Sequence, residues 1–368
     1  MANNKAYEYD ASGIKGTSKE VFLPITIAQT QNLVKTHAAL TPRGGGTGLS
    51  GGAIPNGNVI IDLSKLKKIG ELDTARETIE VEAGVILDDL QLMLEETGLE
   101  FPVNPSSHGI CTIGGMIATD AVGSRALKYG PMSKNVRWIE IINNKGEIER
   151  KGATEISDYS GLEGTTGIII KACLNLVRRV KRSASIIPVK DTKELLELTH
   201  TLKNHEEICA IEFVDDLSAE KIGLEKKYHI IAEFEGDTGK LKDQKYIELF
   251  KKRDTLFPIW SKEGYLKIED PKLHPNKLEE FLNWLSVNKI PCFGHISVGI
   301  VHPRFRDGEE KKIKEMIRLV KRLGGQISGE HGIGILKKEH VDPQDKRILL
   351  NIKKRLDPNN KFNPGKII

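Results

Sequence analysis

The stretch Thr41-Pro-Arg-Gly-Gly-Gly-Thr-Gly-Leu-Ser-Gly-Gly52 decides how the surrounding chain folds. Glycine fills six of its twelve positions, so backbone N–H groups can approach a ligand with no side chains in between. Such a run is typical of a nest for phosphate or pyrophosphate, and Arg43 adds a positive charge at its start. The stretch therefore predicts an anion-binding loop.

The same loop contains Gly46-Thr-Gly48-Leu-Ser-Gly51, which matches the dinucleotide pattern GxGxxG. That pattern normally follows a strand and opens a helix. Here the loop leads into Ala-Ile-Pro-Asn-Gly-Asn and then into the strand-like run 59–63. The phosphate interpretation is therefore kept, and a nicotinamide-type Rossmann fold is not expected.

Composition narrows the class of protein. The chain has 368 residues, enough for two domains, and a formal charge of +4 with both signs interspersed, which does not favour nucleic acid as a partner. No apolar run reaches membrane-spanning length, and the N-terminal MANNKAYEYD lacks a signal-peptide core. The expected location is the cytoplasm, or the membrane surface through a partner.

The cysteines indicate what kind of redox chemistry is open to the chain. There are four, at 111, 173, 209 and 292, and none shows the spacing of an iron–sulfur cluster or a disulfide framework. Any redox chemistry of this chain therefore needs an organic cofactor.

Hydrophobic periodicity predicts an α+β protein with two domains. Residues 1–182 read as mostly β with three small-residue loops, the third being Gly161-Leu-Glu-Gly-Thr-Thr-Gly167. Residues 183–340 alternate strands and helices, which favours an antiparallel sheet with helices on one face. A last helix is expected from Asp342-Pro343, in the segment 341–368.

Residues 102–124, PVNPSSHGICTIGGMIATDAVGS, form a second region rich in small residues. One interpretation is a set of surface turns. The other is a second cofactor wall, where hydroxyls and bare backbone approach a flat ring system. Composition alone does not decide between them.

Two short segments carry the candidate chemistry. Gly294-His-Ile-Ser-Val-Gly-Ile-Val-His302 places two histidines seven residues apart around a bend at Gly299, and Ser328-Gly-Glu-His-Gly-Ile-Gly334 adds Glu330 and His331. Two histidines and a carboxylate suit a catalytic metal site, and the remaining histidine suits a general base. Single histidines are more often structural, which is our interpretation of His37, His108, His200, His205, His229, His274 and His340.

Arg253 and Lys267 are two further candidates. Solvated surface charges are the simpler interpretation of both. Near a metal, such an arginine would instead hold a substrate carboxylate.

Taken together, the motifs resemble a known family. PRGGGTGLSGG, PSS with TIGG, and EGTTGI resemble the FAD-binding domain of the vanillyl-alcohol-oxidase (PCMH-type) flavoproteins. HISVGIVH, SGEHGIG and the terminal DPNNKFNPG are similar to the D-2-hydroxyacid dehydrogenase branch, which includes the glycolate oxidase FAD-binding subunit and the D-lactate and D-2-hydroxyglutarate dehydrogenases.

The resemblance implies a PCMH-type FAD domain of two α+β subdomains, a ferredoxin-like cap domain and a C-terminal helix that returns to the FAD domain. His295, His302 and Glu330 match the family's divalent-metal ligands (zinc or manganese), and His331 matches its catalytic base. Arg253 and Lys267 fall where the family holds the substrate carboxylate. The implied FAD-binding residues are Pro42, Arg43, Gly44, Gly45, Gly46, Thr47, Gly48, Ser107, Thr112, Gly114, Gly115, Thr119, Gly164 and Ile169.

The implied activity is oxidation of a 2-hydroxy acid such as glycolate, D-lactate or D-2-hydroxyglutarate. His331 would take the hydroxyl proton, and a hydride would pass from C2 to the flavin. The electrons would then pass to an iron–sulfur subunit, an electron-transfer flavoprotein or a quinone. Thr47 stands where members with covalent flavin at this loop carry histidine, so dissociable FAD is expected.

The chain departs from the family pattern at several positions. In place of the Gly, Asp and Asn of the family's usual HxGDGNxH segment, this chain has Ser297, Val298 and Ile300. These replacements remove polar groups that orient metal ligands. Asp120 replaces an Asn, and Leu162 replaces a Ser. Two alternatives stay open: an accessory FAD subunit that only relays electrons, and non-redox alkyl transfer on flavin.

Overall fold

A computed structural model describes residues 4–368; the first three residues of the N-terminal stretch discussed above lie outside it. The sixteen strands, in chain order, are β1 (Thr17–Phe22), β2 (Leu40–Arg43), β3 (Asn56–Asp62), β4 (Ile69–Asp73), β5 (Thr78–Glu82), β6 (Leu99–Glu100), β7 (Val136–Ile142), β8 (Ile148–Gly152), β9 (Ile168–Asn175), β10 (Val177–Arg178), β11 (Arg182–Val189), β12 (Ile208–Val214), β13 (Tyr228–Glu235), β14 (Lys267–Ile268), β15 (Cys292–His295) and β16 (Ile300–Phe305).

The α-helices are α1 (Ile27–Thr36), α2 (Leu87–Met93), α3 (Ile113–Thr119), α4 (Ala126–Tyr129), α5 (Thr192–Leu202), α6 (Asp216–Lys221), α7 (Asp243–Asp254), α8 (Leu256–Lys262), α9 (Pro275–Val287), α10 (Glu310–Arg322) and α11 (Pro343–Leu356). Their starts follow the local signals in the sequence. Thr26 caps α1 by accepting from Gln29 N at 3.2 Å, and Asp342 caps α11 with proline at the first helical position.

The described chain forms two compact units. Unit 1 contains residues up to Gly123, Gly130–Arg179 and Glu330–Ile368, and unit 2 contains Ser124–Tyr129 and Val180–Gly329. Residues 330–340, which the sequence placed in the substrate domain, therefore belong to unit 1. Hydrogen bonds explain this, since Ile335 N donates to Ser50 O at 2.9 Å in the glycine-rich loop.

Unit 1 is built on a parallel three-stranded sheet, β1-β3-β2, and an antiparallel five-stranded sheet, β4-β5-β9-β7-β8. Helices α2 and α3 pack with the larger sheet around a core that includes Phe101 and Ile117. The smaller sheet shares a second core with Val34 of α1 and with Phe362, which is fully buried near the C-terminus. The glycine-rich loop connects two parallel strands, β2 and β3, with no helix in between, as the sequence predicts.

Unit 2 is built on one antiparallel sheet of order β11-β13-β12-β15-β16-β14. Helices α5, α9 and α10 share a core with one face, and α6, α7 and α8 share a core with the other. The expectation of helices on a single face is wrong, because both faces of β12 and β13 carry apolar side chains: Ile211 and Phe213 face one side, Val214 and Ile231 the other.

The segment that contains His295 and His302 is a hairpin, with the bend at Gly299 that the sequence predicts. β15 and β16 pair antiparallel and are joined by a short 3₁₀ turn that ends at Gly299. Gly299 has a φ of +79°, and a Cβ there would lie 2.1 Å from Leu273 O. Only glycine fits this bend, and the bend places His295 and His302 on neighbouring strands.

Candidate cofactor cleft and histidine site

Two adjoining pockets in unit 1 are lined by the predicted cofactor residues. The larger is an open cleft of about 1040 Å³ and the smaller is about 420 Å³. The larger contains Gly45, Gly46, Thr47, Gly48, Ser107 and Thr119; the smaller contains Arg43, Gly114, Gly164 and Ile169; both contain Pro42, Gly44, Thr112 and Gly115. Every predicted cofactor residue therefore lines a pocket.

The glycine-rich loop packs directly on the segment before α3. A Cβ on Gly44 would lie 2.2 Å from Thr112 Oγ1, and one on Gly45 would lie 2.3 Å from Ile110 O. These approaches leave no room for side chains, so the loop presents bare backbone to the cleft. The cleft wall fits a ligand that carries phosphates.

Residues 102–124 are partly helical, which neither interpretation of their composition foresaw. Thr112 is the N-cap of α3 and accepts from Gly115 N at 3.2 Å. Asp120 ends the helix in a left-handed conformation and accepts from Ser133 N at 2.8 Å. The region still lines the cleft, so its small residues form a wall of the pocket as the second interpretation required.

The guanidinium of Arg43 is engaged by contacts within the protein, which the sequence did not indicate. Its guanidinium donates to Tyr9 O at 2.8 Å and Ala53 O at 3.3 Å, and it lies 5.6 Å from the Tyr7 ring centroid. Burial lowers its pKa, which the carboxylates of Asp10 and Asp62 partly offset. Arg43 therefore ties the N-terminal segment to the loop, and its contact with pyrophosphate stays a prediction.

His331 lines the larger cleft together with Glu330. Its backbone carbonyl accepts from Ser50 Oγ at 2.9 Å, and its Nε2 lies 3.9 Å from Glu330 Oε1. The Ser50 contact joins the predicted base to the glycine-rich loop. The two motifs, nearly 300 residues apart in sequence, thus meet in unit 1.

Glu163 is a buried carboxylate in this cleft that the sequence analysis missed. Its Oε1 accepts from Ile333 N at 2.7 Å and Gly334 N at 2.9 Å. Burial raises its pKa to about 6, although these hydrogen bonds and nearby lysines oppose the shift. Its φ of +50° is unusual for a non-glycine residue, but nothing in EGTTGI marked the glutamate itself.

The histidine pair lies on one face of the unit 2 hairpin. The rings of His295 and His302 are perpendicular, with centroids 5.5 Å apart, and both residues are buried. Two neighbouring imidazoles are a suitable donor set for zinc or another divalent metal. Glu330 belongs to unit 1, and its role as third ligand stays a prediction.

Glu212 on β12 is a second residue that the sequence analysis missed. Its Oε1 lies 3.0 Å from His295 Nδ1, and its Oε2 lies 2.9 Å from Arg253 Nε. Burial acts to raise the pKa of Glu212, but the Arg253 charge and the His295 contact outweigh it, so the pKa lies below its usual value. In metal sites, a carboxylate on Nδ1 fixes the imidazole tautomer in which Nε2 is the ligand atom.

The structure separates the two predicted carboxylate-binding residues. Arg253 contacts Glu212 and lies 3.0 Å from Asp254, close to the histidine pair. Lys267 pairs across the strands with Phe305, on the opposite face of the sheet, and its ammonium contacts Glu310 and Asp307. Lys267 is therefore not brought to the histidine face.

Comparisons with known proteins identify two matching domain profiles and several relatives. The FAD binding domain profile matches residues 19–152, and the profile of the C-terminal domain of FAD linked oxidases matches residues 248–367. D-lactate dehydrogenase of Archaeoglobus fulgidus is 30% identical over 89% of this chain and 85% of that protein. D-lactate dehydrogenase of Anaerostipes hadrus is 29% identical over 99% of this chain and 93% of that protein. D-2-hydroxyglutarate dehydrogenase of Stutzerimonas stutzeri is 25% identical over 94% of this chain and 90% of that protein.

The cleft, its glycine and threonine walls and the matching domains define an FAD-dependent oxidoreductase. The chain belongs to the FAD-linked oxidase family, in the branch that includes D-lactate and D-2-hydroxyglutarate dehydrogenases. All four cysteines are free and buried. No helix within residues 4–368 has both the length and the apolar composition of a membrane span.

Proposed function

We propose that this protein oxidises a 2-hydroxy acid to the 2-oxo acid, with His331 as the general base. The observation that carries the proposal is the position of His331 in the same cleft as the predicted cofactor residues. The similarity to D-lactate and D-2-hydroxyglutarate dehydrogenases supports the substrate class.

In the reaction, the imidazole of His331 accepts the proton of the C2 hydroxyl as the C–O bond gains double-bond character. Bound FAD supplies the acceptor for the hydride that leaves C2. Ser50 and Glu163 hold the loop of His331 through the hydrogen bonds to His331 O, Ile333 N and Gly334 N. A base fixed in this way loses little orientation entropy in the transition state.

In this proposal, His295, His302 and Glu330 would hold a divalent metal, which would supply Lewis-acid polarisation of the substrate. The imidazole donor set favours zinc. Glu212 fixes the tautomer of His295 and increases its strength as a ligand, and Arg253 keeps Glu212 ionised. This local carboxylate partly compensates for the polar residues that the His-x6-His segment has lost.

The electrons go to a separate acceptor in this proposal, since residues 4–368 hold no thiol cluster. An iron–sulfur subunit, an electron-transfer flavoprotein and a quinone all meet this need. FAD is expected to be held without a covalent bond, because Thr47 lines the cleft where a histidine would be required for attachment.

The test is anaerobic reduction of the bound flavin. D-lactate, glycolate, D-malate and D-2-hydroxyglutarate are added to the FAD-loaded protein with zinc or manganese, and absorbance near 450 nm is followed. At least one acid should bleach the flavin. If dithionite bleaches it and no 2-hydroxy acid does, the protein is an electron relay and the proposal is wrong.

His331→Ala tests the base directly. It should reduce the rate of bleaching by at least about a hundredfold, the usual range for loss of a general base, while FAD stays bound. The matched control is His200→Ala on the exposed end of α5, which should bleach at the wild-type rate. Wild-type bleaching by His331→Ala would remove this residue from the mechanism.

A further inference from the structure

Arg304 is the largest fully buried side chain of the described protein, and the reaction outlined above does not use it. It lies on β16 two residues after His302. Side chains two apart on a strand share a face and are separated by about 7 Å. Arg304 therefore lies on the histidine face of the unit 2 sheet.

The hydrogen bonds of Arg304 use only part of its guanidinium. Nη2 donates to Ser261 Oγ at 2.9 Å and to Tyr265 O, and the group lies 4.5 Å from the Phe257 ring centroid. Nε and Nη1 have no hydrogen-bond acceptor within residues 4–368. Arginine has five N–H donors, so about three of them are free to bind a ligand.

The charge of Arg304 is also uncompensated, unlike that of other arginines which contact this face. Arg125 pairs with Glu233 at 3.0 Å and Arg253 pairs with Glu212 at 2.9 Å. Within residues 4–368 the side-chain partners of Arg304 are Ser261 Oγ, Tyr265 O and the Phe257 ring, and none of them is a carboxylate. A buried cation without an anion is costly, and buried charges in proteins are normally paired, which leaves this position suited to an anion from a ligand.

We propose that Arg304 binds a carboxylate of the 2-hydroxy acid, the role that sequence resemblance gave to Arg253 and Lys267. The inference rests on the proposed function for the identity of the ligand. In this arrangement a hydroxy acid bound at His295 and His302 would extend along β16 to Arg304. Because the guanidinium is shielded from water, its interaction with a carboxylate is strong and selective.

The experiment measures binding of oxalate, a non-oxidisable dicarboxylate, to FAD-loaded protein by its effect on the flavin spectrum and on Tm. The variants are Arg304→Met and Arg304→Lys. The control is Arg306→Met, an exposed arginine two residues further that lies over the Tyr265 ring. Arg304→Met should lower the affinity for oxalate by about 10- to 100-fold, and Arg304→Lys should lower it less. Arg306→Met should bind oxalate with wild-type affinity.

With any acid that bleaches the flavin, Arg304→Met should raise KM by the same factor and lower kcat less. A merely structural arginine would lower Tm and leave oxalate affinity unchanged, which would overturn the proposal. Absence of oxalate binding by the wild-type protein would overturn it as well. If Arg304→Met does not fold, Arg304→Lys with wild-type oxalate affinity decides against the proposal.

Failure of the proposed function can be told apart from failure of the Arg304 proposal. Loss of oxalate binding in Arg304→Met, with no bleaching of wild type by any 2-hydroxy acid, would keep the carboxylate site and reject the reaction.

Discussion

Glu163→Gln should make the protein more stable at neutral pH. The Glu163 carboxylate is buried beneath the His331 loop, and its Oε2 has no hydrogen-bond partner within residues 4–368. Glutamine has nearly the same shape, and its Oε1 can still accept from Ile333 N and Gly334 N. The substitution therefore removes a buried negative charge and keeps the two hydrogen bonds.

The magnitude follows from the raised pKa. Burial moves the pKa of Glu163 from 4.5 to about 6, and each unit corresponds to about 1.4 kcal/mol. Below pH 4.5 Glu163 is protonated in both the folded and the unfolded state, so its ionisation does not reduce the stability of the wild type. Between pH 4.5 and 6 the carboxyl is ionised in the unfolded state and still protonated in the folded state, so the wild type loses stability over this range, reaching about 2 kcal/mol at pH 7. The glutamine variant lacks this loss.

The assay is thermal unfolding of the FAD-free protein at pH 4 and pH 7. The variant should match wild type at pH 4 and exceed its Tm by about 4–8 °C at pH 7, a range typical for units of this size. Glu96→Gln, at an exposed position after α2, should change neither value. Equal Tm differences at the two pH values would refute the assignment of the charge to Glu163.

Other substitutions test the remaining contacts. The Cβ of Gly44→Ala would collide with the segment before α3, so this variant should bind FAD at least about tenfold more weakly in a fluorescence titration. Gly152→Ala is the control, because no atom lies near its Cβ, and it should bind FAD like wild type. Acid precipitation should release all flavin, since Thr47 offers no attachment; flavin in the pellet would contradict this. Glu212→Gln should weaken zinc about 10- to 100-fold in a chelator competition, and Glu233→Gln on the same sheet should leave zinc affinity unchanged.

Much of the fold was predictable because it rests on local signals. The capping residues Thr26, Asp191 and Asp342 begin α1, α5 and α11 as the sequence indicates. The lining of the two unit 1 pockets was predictable because its residues lie in short contiguous motifs, and their role in binding the cofactor stays a prediction. Errors arose where small or polar residues hid local structure, as in α3.

Glu163, Glu212 and Arg304 could not be found from their surroundings in the sequence. A glutamate in a glycine-rich turn and a glutamate in an apolar strand carry no periodic signal that separates a site from a surface. Their roles depend on partners far along the chain, such as Gly334 for Glu163 and His295 for Glu212. The face of the sheet on which Lys267 lies was hidden for the same reason, since it depends on the pairing of β14 with β16, and its role at the substrate stays a prediction.

The sequence by itself determined the cofactor class, because a run of bare glycine backbone is a local property that any fold must accommodate. It also determined which histidines and which glutamate are candidates for chemistry. Tertiary structure decided which charges are buried and which are compensated. It paired Arg253 with Glu212 and left Arg304 without an acid, since burial and pairing depend on strand register and on residues distant in sequence.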